Sequence, residues 1–542
     1  MASPTGRTPP GPAGGEGCGG RTRSRPVRLR PTYRQADATR YRRPGGAWDV
    51  PTLDQLLSSP RPANGSAIVD GDVRLDAGTV ERLVAAVAGG LRARGVRRGD
   101  VVCWQLPNWW EAIVLFRACW RCGALAAPIH HQVGPAEVAP MLDSLDPGVS
   151  LASTGMPLAE RKGTIGVRNG DPRFDDLVTA RPLPSPLGRG ADVAVVLFTT
   201  GSTGHPKAVL HSNRGLAYKA LSMTTAHGLS STDTALMPSP LAHVSGLLNA
   251  VLVPGTAAMP VVLMEKWDPE RGVRLVGEHA VSFMIGPPTL FLGMMDVAGS
   301  RVHLKSLRVV SCGGMGVTPE FIDAARQEFG ATVKRTYGST EAPTITTCTA
   351  GDGADKARDT DGHSVGDAVI RVVDPVSNRS VPAGERGEVL LRGPELFVGY
   401  ADESQTREAV RRGWFATGDL GTLDDEGWLT IVGRVKDLII RAGENIASAE
   451  VERLLELHPG VRQAVVVGCP DQRVGERVAA FIVGDHRLDV EECQRWFAAQ
   501  GVARFKTPEL VVHVEEIPLL GIGKPDRPAL RAQVAALAPV GR

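Results

Sequence analysis

Val193-Ala-Val-Val-Leu-Phe198 runs directly into Thr199-Thr200-Gly201-Ser202-Thr203-Gly204-His205-Pro206-Lys207. An unbroken apolar run bounded by small and polar residues reads as a buried strand emptying into a loop. The glycines let backbone N–H groups approach an oxyanion, the hydroxyls add donors, and Lys207 adds a mobile positive charge. Those are the needs of a phosphate cradle. It is not a Walker loop, because Lys207 follows Pro206 and Ala208 stands where a Ser or Thr would hold magnesium. A Ser/Thr/Gly stretch alone is more often a linker; its place behind a buried strand turns it into a candidate site.

Three further runs repeat the pattern downstream. Val281–Ile285 empties into Gly-Pro-Pro, Leu307–Val310 into Ser-Cys-Gly313-Gly314-Met315, and Val333–Thr336 into Tyr337-Gly338-Ser339-Thr340-Glu341. Ligands of open α/β sheets sit beyond the carboxyl ends of the strands, so the four loops are expected to converge on one site. A helix over Thr318–Phe329, with Pro319 in its first turn, supplies the crossover between the last two. Upstream, Val80, Leu83, Val84, Val87 and Leu91 mark an amphipathic helix ended by Gly95, followed by a strand over Val101–Leu106. Beyond Gly362 the elements shorten to strands and turns, and from about Arg434 the order helix, strand, strand, helix, strand reads as a compact α+β unit. The expected fold class is α/β: a large N-terminal domain of layered sheets and a small C-terminal α+β domain. The boundaries expected are an arm over 1–38, a body over 39–433 and a lid over 434–542.

The 542 residues exceed one ordinary core, and 42% of them are hydrophobic, which excludes a disordered or fibrous chain. The net charge of +2 conceals a split, since the first 50 residues hold ten Arg against three acids and the remainder carries −5. A mildly acidic body argues against a nucleic-acid-binding core. Residues 1–30 mix Gly, Pro and Arg without the apolar stretch of a signal peptide and read as a solvated, disordered arm. No window is long and apolar enough for a spanning helix, so an intracellular, cytoplasmic protein is expected, as a monomer or homodimer. Eight cysteines are too sparse for a disulfide framework. Cys119-Trp-Arg-Cys122 lies late in the apolar segment that starts at Trp110, has no second C-x-x-C to complete a zinc site, and reads as helix packing.

The ordered set of motifs resembles the AMP-forming acyl-activating superfamily from about Thr39 onward, and within it the bacterial acyl-CoA ligases of the cyclohexanecarboxylate-CoA ligase type. The strings that carry the closer likeness are Gln105-Leu-Pro-Asn-Trp-Trp-Glu111, Pro238-Ser-Pro-Leu-Ala-His243, Gly393-Pro-Glu-Leu-Phe-Val-Gly-Tyr400 and Gly443-Glu-Asn-Ile446. The resemblance implies that Tyr337 stacks on adenine, Thr340 donates to phosphate, and Glu341 helps hold magnesium, with Gly338 and Ser339 completing the loop. It implies that Gly313, Gly314 and Met315 line the adenine and acyl pocket. To the expected α/β fold class the resemblance adds a small β-barrel in the large N-terminal domain and mobility of the small C-terminal one. Asp419, in Trp414-Phe-Ala-Thr-Gly-Asp419, would accept from the ribose hydroxyls, and Arg434 would reach the same ribose. Lys436 takes the hinge position and Gly443 the thiol tunnel. Lys524, in Pro518-Leu-Leu-Gly-Ile-Gly-Lys524, matches the catalytic lysine between carboxylate and α-phosphate, where a mobile cation between two anions lowers the barrier. His243 resembles the gate beside the substrate carboxylate.

The chain departs from the family pattern at Leu519-Leu520, Ala208 and Met315-Gly316, which bears on docking and pocket shape more than on the reaction. Val244 stands where ligases that read an ortho-hydroxyl place Asn, so dihydroxybenzoate and salicylate are less expected than a medium-length, alicyclic or aromatic monoacid. The implied activity is carboxylate plus ATP to acyl adenylate, then transfer to coenzyme A; the implied cofactors are ATP, magnesium and coenzyme A. Loading of a carrier-protein phosphopantetheine is the alternative acceptor. A nucleotide-binding scaffold without turnover fits poorly with Lys207, Glu341, Asp419 and Lys524 occurring together.

Overall fold

A computed structural model describes residues 29–58, 66–199, 206–441, 444–471, 473–519 and 525–537. Among these residues the strands form four sheets. The largest has nine strands, with Ala235–Met237, Phe283–Gly286, Val309–Gly313 and Thr332–Tyr337 side by side and parallel in its centre. The second has six, in the order Ile165–Val167, Val149–Ser153, Val101–Gln105, Leu125–Ile129, Val193–Thr199, Lys207–Ser212. Buried helices lie between these two sheets in the principal core, notably Trp110–Cys122 and Asn213–His227.

The expected loops therefore do not hang from one sheet. The strand ahead of the cradle belongs to the six-stranded sheet and continues into an antiparallel partner, Thr199 opposite Lys207, rather than into a helix. The other three loops follow neighbouring strands of the nine-stranded sheet. An apolar run reports that a strand is buried on both faces but not which sheet buries it.

Downstream, Val369–Val373, Arg386–Arg392, Trp414–Leu423, Val410–Arg411 and Leu429–Arg434 form an antiparallel half-barrel sheet. The C-terminal α+β unit holds the last sheet, in which Leu510–His513 lies parallel to Gly475–Val483 and the helix Ser448–Glu456 covers one face. Arg434, expected to open this unit, is instead the last residue of the half-barrel strand, held there by its register opposite Asp419.

The end of the expected arm is also part of the fold. Residues 1–28 lie outside the described residues, but Thr32 and Tyr33 both donate backbone N–H groups to the Val398 carbonyl at 2.9 and 3.0 Å. Gln35 and Trp48 donate to the carbonyls of Leu396 and Pro394 at 3.1 and 2.9 Å. Tyr33, Ala38, Tyr41 and Trp48 supply the apolar surface for this docking, which the Gly/Pro/Arg composition before them obscures.

The C-W-R-C pair packs as expected. Cys119 and Cys122 are buried in a helix with almost no exposed face, and burial raises both thiols, Cys122 to about 11. No helix among the described residues is long and apolar enough to cross a membrane.

Candidate active site

The strand Thr332–Tyr337 delivers Tyr337 to the edge of a tight loop. Gly338 is required there because a Cβ would lie 2.4 Å from the Thr344 nitrogen and 2.8 Å from the Ala342 carbonyl. Ser339 and Ala342 exchange backbone hydrogen bonds at 3.0 and 3.2 Å, and Ile345 N–H returns to the Tyr337 carbonyl at 2.8 Å, which closes the loop around Thr340 and Glu341.

Each side of that loop meets a group the motifs had placed far away in sequence. The Tyr337 hydroxyl donates to Asp419 at 2.7 Å, and Arg434 Nε reaches the other oxygen of the same carboxylate at 2.9 Å. Asp419 and Arg434 face one another across antiparallel strands, so the ion pair follows from register. The Asp419 carboxylate is buried whereas the Arg434 side chain is about half exposed, which leaves the cation free to move. Burial and the Asp419 charge push the Tyr337 phenol far above its ordinary range, so it remains a donor.

On the other side, the Tyr400 hydroxyl donates to Glu341 Oε1 at 2.7 Å and the Lys207 ammonium lies 5.2 Å over the Tyr400 ring. The segment Phe397–Ala401 makes this meeting possible. It bonds to the strand Lys207–Ser212 through Leu210 N–H to Gly399, Val398 N–H to Leu210 and Ala401 N–H to Ala208, while Phe397 N–H bonds the Glu341 carbonyl at 2.8 Å. One strap thus joins the six-stranded sheet to the loop of the nine-stranded sheet, and Lys207 and Glu341 converge despite their different sheets. His211, fully buried and lowered to about 4 by desolvation, is neutral and bonds the Thr340 carbonyl at 2.7 Å.

The glycine loop after Val309–Gly313 has local backbone reasons of its own. A Cβ on Gly313 would meet the Thr336 carbonyl at 2.3 Å, so this glycine permits close approach of two strands, and Gly314 is needed for its φ of +84°. Met315 is partly exposed beside them.

His243 occupies the position ahead of a short helical turn, Val244–Gly246, that continues as a buried π-helix over Leu247–Leu252, a form frequent at functional positions. Its ring lies 4.7 Å from that of His130, which stacks on His131 at 4.6 Å. His130 is pushed down to about 3, mainly by burial, and its Nδ1 accepts from Gln132 N–H, so the ring is neutral with its proton on Nε2. The buried Asn108 ties the His243 loop by donating to the Ser239 and Met264 carbonyls and accepting from Leu241 N–H. Sequence reasoning missed His130, His131, His211, Asn108 and the role of Tyr400. The His-His pair directly after the buried run Leu125–Ile129 was a usable signal, since it lies at the carboxyl end of a parallel strand.

Thr199 ends its strand opposite Lys207. Thr200, Gly201, Ser202, Thr203, Gly204, Gly443 and Lys524 lie outside the described residues. Lys436 sits in the short helical turn between the half-barrel and the C-terminal sheet, its carbonyl accepting from Arg531 at 3.2 Å.

The class this fold and site define is the AMP-binding enzyme family, whose model matches residues 58–401, with the AMP-binding enzyme C-terminal domain matching 450–524. The chain belongs to this family. It is 29% identical over 532 residues to the medium-chain fatty-acid–CoA ligase of Escherichia coli, covering 93% of this chain and 94% of that protein. It is 33% identical over 540 residues to a salicylyl-CoA synthase / salicylate adenylyltransferase of a Streptomyces species, covering 91% and 95%. The crystal structure of ATP-bound MatB from Rhodopseudomonas palustris superposes with a TM-score of 0.83 at 25% identity, covering 90% of this chain and 99% of that one.

Proposed function

We infer that this protein is an AMP-forming carboxylic acid–thiol ligase that makes an acyl adenylate and passes the acyl group to coenzyme A. The observation that carries the reading is the continuous arrangement Arg434–Asp419–Tyr337 and, through the same loop, Glu341–Tyr400–Lys207. It sets a carboxylate suited to two vicinal hydroxyls at one end and a lysine beside a second carboxylate at the other, the spacing of chemistry along a nucleotide from ribose to phosphates.

The donor set fits magnesium as well as nucleotide. Glu341 offers a hard carboxylate, and among the described residues its side chain is bonded by Tyr400 at Oε1. Bound there with the triphosphate, the ion would screen phosphate charge. The protein's own groups do the rest. Asp419 and Arg434 hold the ribose, Tyr337 presents its ring to the base, and Thr340 with the cradle 199–204 donates to phosphate. A carboxylate oxygen of the substrate, beside His243, attacks the α-phosphorus as the bond to pyrophosphate breaks, with Lys524 between the two anions. The thiol of coenzyme A then gives its proton to solvent, its sulfur bonds the acyl carbon, and the bond from that carbon to the phosphate oxygen breaks, releasing AMP. Rotation of the C-terminal unit about Lys436 would exchange Lys524 for the Gly443 segment between the steps.

The acid is a monocarboxylate of medium length, alicyclic or aromatic, with a neutral imidazole stack beside its carboxylate. An ATP–pyrophosphate exchange screen across fatty, alicyclic and aromatic acids, salicylate included, tests the reading. Carboxylate-dependent exchange followed by CoA thioester formation is expected; no exchange with any acid overturns it, and thioester formation on carrier proteins but not on coenzyme A changes the acceptor. Lys524→Ala should abolish exchange while sparing thiolysis of supplied acyl adenylate.

A further inference from the structure

Lys219 lies in the helix Asn213–His227 and is fully buried, as is Glu395 two residues ahead of Phe397 in the strap. The ammonium lies 3.1 Å from Glu395 Oε1, short of hydrogen-bond geometry, and donates to the Thr344 carbonyl at 2.8 Å. Thr344 closes the loop that carries Thr340 and Glu341, and it has a φ of +33°, a value that β-branched residues rarely adopt. Strain of that kind persists where surrounding contacts over-determine it, and it clusters at functional sites.

Three carbonyls of this loop are held by donors from three other places. His211 holds Thr340, the Phe397 N–H holds Glu341, and Lys219 holds Thr344. The first two fix the backbone at the two residues that would meet phosphate and magnesium. The third is a charge, and its counter-charge, Glu395, sits two residues ahead of the strap that supplies Phe397 N–H and the Tyr400 hydroxyl. A dry ion pair is costly to assemble and is weak evidence of stabilisation, so its value here lies in what it orients. A neutral donor could satisfy one carbonyl; a lysine paired with Glu395 ties helix, loop and strap at a single point.

We propose that Lys219, with Glu395, is a positioning residue for acid activation, holding Thr344 in its strained turn so that Thr340 and Glu341 face MgATP. The proposal rests on the ligase reading, and the two fail differently. Wild-type exchange activity tests the reading, whereas the proposal is tested by comparing variants once that activity is present.

The experiment uses the full chain. Because Lys219→Met alone leaves a buried unpaired carboxylate, the working variant is Lys219→Met with Glu395→Gln, checked by its thermal melt and by thiolysis of supplied acyl adenylate. Expected is a fall of about 10- to 100-fold in kcat for pyrophosphate exchange, the scale of a small misplacement of reacting groups, with a raised KM for MgATP and an unchanged KM for the acid. Adding Thr344→Gly, which adopts the left-handed turn without strain, should recover most of the loss. MgATP kinetics equal to wild type in the folded double variant would overturn the proposal. So would a loss shared equally by acid KM and thiolysis, or no recovery on adding the glycine.

Discussion

Two ion pairs flank the same loop and differ in one respect. Lys219–Glu395 is dry on both sides, whereas Asp419–Arg434 pairs a buried carboxylate with a half-exposed guanidinium. The first cannot exchange its partner for a ligand without exposing a bare charge, so it can only hold backbone. The second can release the arginine toward a ribose while Asp419 keeps its bond from Tyr337. On the proposed function, burial of the cation, rather than its presence, separates the scaffolding pair from the binding pair.

The largest effect should come from breaking the dry pair on one side. Lys219→Met alone should cost about 3–5 kcal/mol of folding stability in urea denaturation, because the remaining carboxylate is buried uncompensated. A loss under about 1 kcal/mol would mean that water reaches Glu395. The corresponding change in the other pair should leave folding largely intact. Asp419→Asn keeps the shape and an acceptor for Tyr337, but should lower kcat/KM for ATP by the equivalent of about 1.5–3 kcal/mol, the worth of hydrogen bonds to a charged group.

Smaller still, Tyr400→Phe removes one neutral donor from Glu341 and should raise the half-saturating magnesium concentration by about 1 kcal/mol equivalent, with little change in the melt. The smallest expected effect is on the pH dependence of stability. His211 is lowered to about 4 in the folded chain against about 6.5 unfolded, so the unfolded state binds the extra proton in between. Its contribution is present above pH 6.5 and is lost as pH falls toward 4. Glu456 in the C-terminal unit, raised to about 7 by burial, has the opposite sign, since its contribution is lost as pH rises from about 4.5 to 7. The two oppose each other in the wild type. His211→Gln should therefore leave the Glu456 term unopposed, so that on going from pH 6.5 to 5.5 the variant gains about 1 kcal/mol of stability relative to the wild type, and an unchanged profile would show that water reaches the ring.

Part of the candidate site was legible because its expected chemistry is local. Tyr337 through Glu341 stand at the end of an apolar strand, whereas Asp419 lies inside the strand Trp414–Leu423 and was picked out only through the family resemblance. The strand ends were readable for the same reason, within one residue at Thr332–Tyr337. Gly313, expected to line the adenine and acyl pocket, is crowded by the neighbouring strand, a contact the sequence does not show. Lys219 was illegible: a lysine in a helix of mixed polarity reads as a solvated charge, and nothing near it in sequence shows that Glu395 and the Thr344 carbonyl lie against it. His211 was hidden in the same way, inside a short strand that lies between Val193–Thr199 and the strap.

The sequence determined the class of chemistry through its ordered set of family motifs; the residue types by themselves reached only a candidate phosphate cradle at 199–207. It also determined the alternation of buried strands and helices, because burial on both faces leaves apolar runs. Tertiary structure alone decided that the cradle strand and the Tyr337 strand belong to separate sheets, that the strap 397–401 brings them together, and which lysine is scaffold. Those outcomes depend on register and on contacts between residues far apart in the chain, and desolvation, which assigns a charge its role, exists only after the chain has packed.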